Sequence, residues 1–293
     1  MLSLLSHHLV FTQLTLHYTT LQHYIVRKYL VMAHVKNLFC SENYDDMVLE
    51  SRKQESGTGK RLCVAAHQDR VLMRDQRIME NLLLSESAKK IVNYCERIQT
   101  EIAPHMRKIV TDWMLEVCQD QQCQPEVFFL AVNYLDRFLS LVNIKKNQFQ
   151  LLASVCILLA SKFSQVVPIT SEQLVVYSDH SVTIPEMRKW EIFVLEVLQW
   201  ELSTSTANSF LQHFFNSYNV NDRVRKQAEA LATEAATEYK FLLAKDSVIA
   251  ASALAAAANS NKSDDAKSVQ FVKAASVLTG KLNAIRKGKG TGE

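Results

Sequence analysis

The chain has 293 residues, 48% hydrophobic and 22% charged. That is enough apolar material for one large core or two domains of roughly 100–150 residues, and it excludes a wholly disordered chain, a collagen and a membrane bundle. The formal net charge of +3 comes from the first 41 residues, where Arg27, Lys28 and Lys36 stand without an acid; from Glu42 onward the two signs balance at 30 each, a neutral body that argues against nucleic-acid binding.

Residues 1–31 are acid-free and rich in His, Leu, Thr and Tyr. No apolar run there approaches the ~20 residues of a membrane span. The first charge falls after the apolar part, which fits a secretory signal poorly, and early arginines of a mitochondrial presequence are missing. The expectation is a leader of doubtful translation, with Met32 as an alternative start. Residues 32–68 read as a flexible segment. Within it, Gly57-Thr58-Gly59-Lys60 lacks the earlier Gly and following Ser/Thr of a P-loop and reads as linker.

From residue 60 to residue 279 there is no glycine. Hairpin turns and nucleotide-binding loops need glycine where the backbone turns sharply or meets phosphate, so this run points to helices joined by short polar turns. Asp69 is placed to cap a helix carrying Val71, Leu72, Ile78, Met79 and Leu82–Leu84, and a second helix is expected over 86–101. Pro104 opens a third. Along it Met106, Ile109, Val110, Trp113, Met114, Val117 and Cys118 recur at helical spacing, which predicts one continuous apolar face.

Glu126–Leu141 and Gln148–Phe163 are apolar nearly all round. A helix with no polar face must be surrounded by other helices, so these two form the centre of a bundle. Thr170-x-x-Gln173 and Thr183-x-x-Glu186 have the spacing of capping boxes, and Pro185 suits a first turn. The second of these helices runs to about Trp200, with Trp190, Phe193, Val194, Val197 and Leu198 inward. Thr206 caps a new series, expected at 207–217, 222–243, 246–258 and 264–278, before a polar basic tail at 280–293. Ala250–Ala258 has side chains too small to fill space, so its helix suits the close-packed middle of a second bundle.

The six cysteines (40, 63, 95, 118, 123 and 156) form no Cys-x-x-Cys pair. That is the usage of a reducing compartment, where a free thiol serves as a small hydrophobe. No zinc-ligand spacing, acid–base dyad or nucleophile with a matched base stands out. From the residues alone the reading is a helical scaffold with a binding surface.

At 106–200 the string becomes specific. Met106-Arg107-Lys108-Ile109-Val110 with Trp113-Met114-Leu115-Glu116-Val117-Cys118, then Ala131-Val132-Asn133-Tyr134-Leu135-Asp136-Arg137-Phe138-Leu139-Ser140, then Leu158-Leu159-Ala160-Ser161-Lys162, resembles a cyclin box, in particular that of the D-type cyclins. The resemblance covers about 69–279 and is stronger in its first half. It implies an all-α cyclin fold: an N-terminal flanking helix, a cyclin box over 69–204 and a second cyclin-fold repeat over 205–279. Upstream, Leu38, Cys40 and Glu42 match Leu-x-Cys-x-Glu, the segment by which D-type cyclins dock on retinoblastoma-type pocket proteins.

The function so implied is that of a regulatory subunit, not an enzyme. Such a subunit binds and activates a cyclin-dependent serine/threonine kinase at the G1/S transition, directs it to pocket proteins, and works in the nucleus and cytoplasm. Kinase inhibitor proteins are further implied partners; no cofactor, metal, nucleic acid or membrane is. Lys162 and Glu191 match the family's kinase-contact pair; read without the family, they are a snorkelling Lys and a solvated Glu. Met106, Ile109, Val110 and Trp113, with Glu116 and Gln150, match its substrate-docking patch, although the same stripe reads equally as core. Trp113 is expected to serve both. The family usually carries Glu three residues after the contact Lys; Gln165 stands there instead, and no Thr-Pro pair occurs in the chain. The alternative reading is a cyclin-fold transcription-factor scaffold without kinase activation, which expects a zinc ribbon upstream and a basic second repeat.

Overall fold

The computed structural model describes residues 75–88, 90–218 and 220–260. The chain divides into a unit of residues 1–61 and a unit of residues 62–293, and every described residue lies in the second. The leader, the pocket-protein motif and the helix expected at 264–278 lie outside the described residues.

Ten α-helices and no strand are found among the described residues: α1 Gln76–Ala88, α2 Tyr94–Arg97, α3 Pro104–Asp120, α4 Pro125–Leu139, α5 Phe149–Ser164, α6 Ser171–Tyr177, α7 Ile184–Val197, α8 Ala207–Tyr218, α9 Asp222–Thr237 and α10 Asp246–Ser260. Helices α4 and α5 are the two all-apolar segments of the sequence. They pack on each other, with α3 against both and α7 against α5. Twelve consecutive-turn residues of α5, from Phe149 to Ser161 with only Gln150 partly open, are buried. In the second repeat α10 is the small-residue helix, packed closely against α9 and α8 through buried Ala250, Ala253, Leu254 and Ala257.

Two expectations are corrected. The helix expected over 86–101 does not form. Instead α1 runs on to Ala88, the chain crosses to the single turn of α2, and residues 98–103 are non-helical. The cause is tertiary: Gln99 donates from Nε2 to the carbonyls of Leu139 and Val142 and accepts from the Ile144 N–H, closing off the C-terminal end of α4. Asp69 lies outside the described residues; Asp75 precedes the described part of α1, and its Oδ1 accepts from the Arg77 N–H at 2.9 Å. The other expected correction is at α9, which stops at Thr237 rather than near 243 and passes into a 3₁₀ turn at Tyr239–Phe241.

Helix ends follow the sequence signals where those were specific. The first capping box forms in both directions, the Thr170 hydroxyl accepting from the Gln173 N–H and the Gln173 side chain from the Thr170 N–H; at the second, the N–H and the hydroxyl of Thr183 both donate to Glu186 Oε2, at 3.1 and 2.6 Å. At the other ends the glycine-free run has a cost. Gln122, Asp179 and Gln199 take φ of 51°, 50° and 56°, the left-handed cap position that glycine normally fills.

Candidate functional site: an exposed corner and a surface stripe

Helix α5 leaves the core at its last turn. Ser161 is buried, Lys162 is exposed, and Ser161 Oγ takes a 2.6 Å bond from the Ile169 N–H while donating to Gln165 Oε1 at 3.1 Å. These two hydrogen bonds fold the following segment back and leave Phe163, Val166 and Val167 half or more exposed. Across from it, α7 is held in rotation by a triad of rings: Trp190 and Phe193 pack at 5.7 Å, and both meet Phe138 of α4 at 6.1 and 5.4 Å. With Trp190 fixed, the next residue, Glu191, faces α5. Lys162 Nζ donates to Glu191 Oε1 at 2.7 Å, with the lysine side chain 48% exposed and the glutamate 17%. The structure therefore brings this pair together, at a corner that also displays three large apolar side chains.

The α3 stripe is corrected. Its apolar residues do not form a single face. The side turned into the core carries Arg107, Thr111, Met114, Val117 and Cys118. Met106, Val110 and Trp113 are only half-buried and Ile109 is 65% exposed, so the sequence pattern merged two adjacent faces. Trp113 lies at their boundary and donates from Nε1 to the Tyr177 carbonyl at 3.3 Å. Glu116 is exposed farther along α3. Gln150, on the first turn of neighbouring α5, accepts from the Ser181 hydroxyl at 3.0 Å. Leu38, Cys40 and Glu42 lie outside the described residues.

Sequence reasoning missed the polar centre of the molecule. Arg107 is 2% exposed, and it donates from Nε and Nη2 to the two carboxylate oxygens of Asp136 at 2.8 and 2.7 Å. Its remaining donors reach the carbonyls of Thr237 and Ala236 at 2.9 and 3.0 Å, and Tyr94 donates its hydroxyl to Asp136 at 2.9 Å. Burial works against the Arg107 charge, but the attraction and hydrogen bonds of Asp136 outweigh it and raise the guanidinium pKa. Burial, then the Asp136 charge, raises the Tyr94 phenol. The network ties α2, α3 and α4 to the end of α9, so one arginine joins the two repeats. The available signal was a carboxylate inside an otherwise apolar helix, since a buried Asp needs a partner.

Among the described residues no group of three or more His, Cys, Asp or Glu could hold a metal, and no helix is long and apolar enough to cross a membrane. Two helical repeats around apolar central helices, with their distinctive chemistry on the surface, define a scaffold that acts by presenting surfaces. The sequence matches the family models for the cyclin N-terminal domain at residues 77–203 and the cyclin C-terminal domain at 205–275. It is 43% identical over 204 residues to the human G1/S-specific cyclin-D3, covering 68% of this chain and 70% of that one. To the Xenopus laevis G1/S-specific cyclin-D1 it is 40% identical over 208 residues, covering 70% and 72%. The X-ray structure of a viral cyclin from herpesvirus saimiri superposes with a TM-score of 0.60 at 23% identity, covering 70% of this chain and 98% of that one, which is a likeness of fold. The chain belongs to the cyclin family, in its D-type branch, and is thus a regulatory subunit of a cyclin-dependent kinase and not itself an enzyme.

Proposed function

We propose that this chain activates a cyclin-dependent serine/threonine kinase at the G1/S transition and directs it to retinoblastoma-type pocket proteins. The observation that carries the reading is the Lys162–Glu191 corner. A 2.7 Å ion pair lies beside exposed Phe163, Val166 and Val167, a combination of anchored charge and apolar surface suited to a protein partner. Because α5 is buried almost to its last turn and α7 is locked by its ring triad, the corner is rigid before any partner arrives. A rigid surface that only the active arrangement of a kinase fits shifts the kinase population toward that arrangement. Truncating one member of a charge pair at such an interface costs roughly 2–5 kcal/mol.

Two further surfaces complete the proposal. The open face of α3, Met106, Ile109, Val110 and Trp113 with Glu116 and Gln150 near it, receives substrate and kinase inhibitor proteins. Leu38, Cys40 and Glu42 engage the pocket protein, and the chain works in the nucleus and cytoplasm.

The test is co-purification with a cyclin-dependent kinase, then phosphorylation of a retinoblastoma C-terminal fragment. Wild type, Lys162→Glu, Cys40→Ala and the exchange Lys162→Glu/Glu191→Lys are run together. Lys162→Glu should abolish activation, and Cys40→Ala should weaken targeting while kinase binding persists. The exchanged pair restores the ion pair within the chain but reverses its outward polarity, so it should remain inactive. Full recovery by the exchange would make the pair an internal strut and refute the contact reading.

A further inference from the structure

The end of α3 brings together two cysteines that the sequence shows five positions apart. Gln122 adopts φ 51°, its N–H bonds the Gln119 carbonyl at 3.0 Å, and the Cys123 N–H bonds the Cys118 carbonyl at 2.9 Å. These two bonds define a Schellman turn, in which the residue after the left-handed position folds back over the last helical turn. Two other helices end the same way. There the residues that meet are Val175 with His180 and Leu195 with Trp200. At α3 both are thiols, set side by side by the turn, where a contact between these two positions is usual. Cys118 is 4% exposed, whereas Cys123 is half-buried and reachable from solvent.

We propose that Cys118 and Cys123 are a reversible thiol–disulfide site at the α3–α4 turn, oxidised by a peroxide. The roles of the two sulfurs are unequal. The neighbouring Cys118, and after it Gln165, lower the Cys123 pKa against the opposing effect of burial, and the same pairing together with burial pushes Cys118 up. Cys123 as thiolate therefore attacks the peroxide oxygen, breaking the O–O bond and becoming a sulfenic acid as hydroxide leaves and takes up a proton. Cys118 then attacks the Cys123 sulfur, forming the S–S bond and expelling the sulfenic oxygen, which leaves as water with the Cys118 proton. In sum two thiols and one hydrogen peroxide give one disulfide and two waters, with two electrons passing from sulfur to the peroxide.

The site has a route to the exposed corner. Gln165 acts on the Cys123 thiol, lowering its pKa, and the Gln165 side chain accepts from the Ser161 hydroxyl at the turn of α5 that carries Lys162. Forming the disulfide withdraws the thiol from Gln165. On the kinase-contact reading proposed above, on which this consequence rests, oxidation lowers the stimulation of the kinase.

The experiment treats the purified full chain with hydrogen peroxide, alkylates free thiols, and maps peptides without reduction. Kinase stimulation is measured on the same samples, for wild type and Cys123→Ser. The expected result is a Cys118–Cys123 linked peptide that dithiothreitol reverses, and a loss of stimulation on oxidation in wild type alone. Overoxidation of Cys123 with Cys118 still alkylated, or linkage of either to another cysteine, overturns the site. A disulfide with undiminished stimulation overturns the route to the corner. Reduced protein that stimulates no kinase overturns the functional reading instead, and the peptide map then decides the thiol pair by itself.

Discussion

Asp136→Asn is the sharpest single perturbation that the structure offers. The substitution keeps the size of the side chain and removes its charge. In the native protein Asp136 accepts from Arg107 Nε, Arg107 Nη2 and the Tyr94 hydroxyl, all within 2.9 Å, and Arg107 is 2% exposed. The amide leaves a guanidinium buried without a counter-charge, and breaking such a pair from one side costs about 3–5 kcal/mol. Whole-domain stabilities are about 5–15 kcal/mol, so roughly a fifth or more of the total is at stake. For a folded body of this size that corresponds to a fall in Tm of roughly 6–20 °C. Urea and thermal unfolding followed by far-UV circular dichroism would measure it. The variant Tyr94→Phe/Arg107→Met/Asp136→Leu removes every charge together and should recover a large part of the loss, because a buried ion pair is replaceable by apolar side chains of similar volume. Since Arg107 also holds the Ala236 and Thr237 carbonyls, Asp136→Asn should speed amide exchange at the end of α9. A loss for Asp136→Asn below about 1 kcal/mol would refute the reasoning, as would a triple variant no more stable than the single one.

Alkaline pH should act through the same centre. Tyr94 has a native pKa raised above its ordinary 10.0, so the folded state keeps a proton that the unfolded state releases. Its contribution is intact below about pH 10 and is lost as pH rises from there toward the native value. Urea midpoints at pH 9 and 11 should fall more steeply for wild type than for Tyr94→Phe; equal slopes would count against it. Gln199→Gly should stabilise by about 0.5–1 kcal/mol, the relief of a left-handed cap less the extra freedom of glycine in the unfolded chain. Gln199 is exposed with φ 56°, whereas Asp179→Gly should gain less because aspartate tolerates that region better. Chemical denaturation checks both. Thr170→Ala removes the hydroxyl that accepts the Gln173 N–H and should cost about 1 kcal/mol, read in the same way.

Period and cap chemistry made much of this fold legible in the sequence. Glu126–Leu141 and Gln148–Phe163 had no polar face and became the central helices α4 and α5. The Thr170 box and the Thr183–Glu186 pair form because polar groups three residues apart at a helix start satisfy each other locally, whatever the rest of the chain does. Ala250–Ala258 forms the close-packed α10 because small side chains allow near approach of backbones. Features set by distant partners were not legible. The stretch 98–103 has helix-compatible residues, yet Gln99 is committed to the far end of α4, 40 residues on. On α3, hydrophobic spacing grouped Ile109 with Met114, although one faces solvent and the other the core. The side chain that orients the helix is Arg107, which a count of apolar positions treats as surface. Its partner Asp136 lies 29 residues away on another helix, and its carbonyl acceptors lie about 130 residues away on α9. The pairing of Lys162 with Glu191 likewise depends on the ring triad that sets the rotation of α7. Sequence alone determined which helices are central and where most of the long ones start, since those depend on local hydrogen bonding and on the period of apolar residues. Tertiary structure decided which face of each helix turns inward and which charges meet, because burying a charge demands a partner and that partner is supplied by another element.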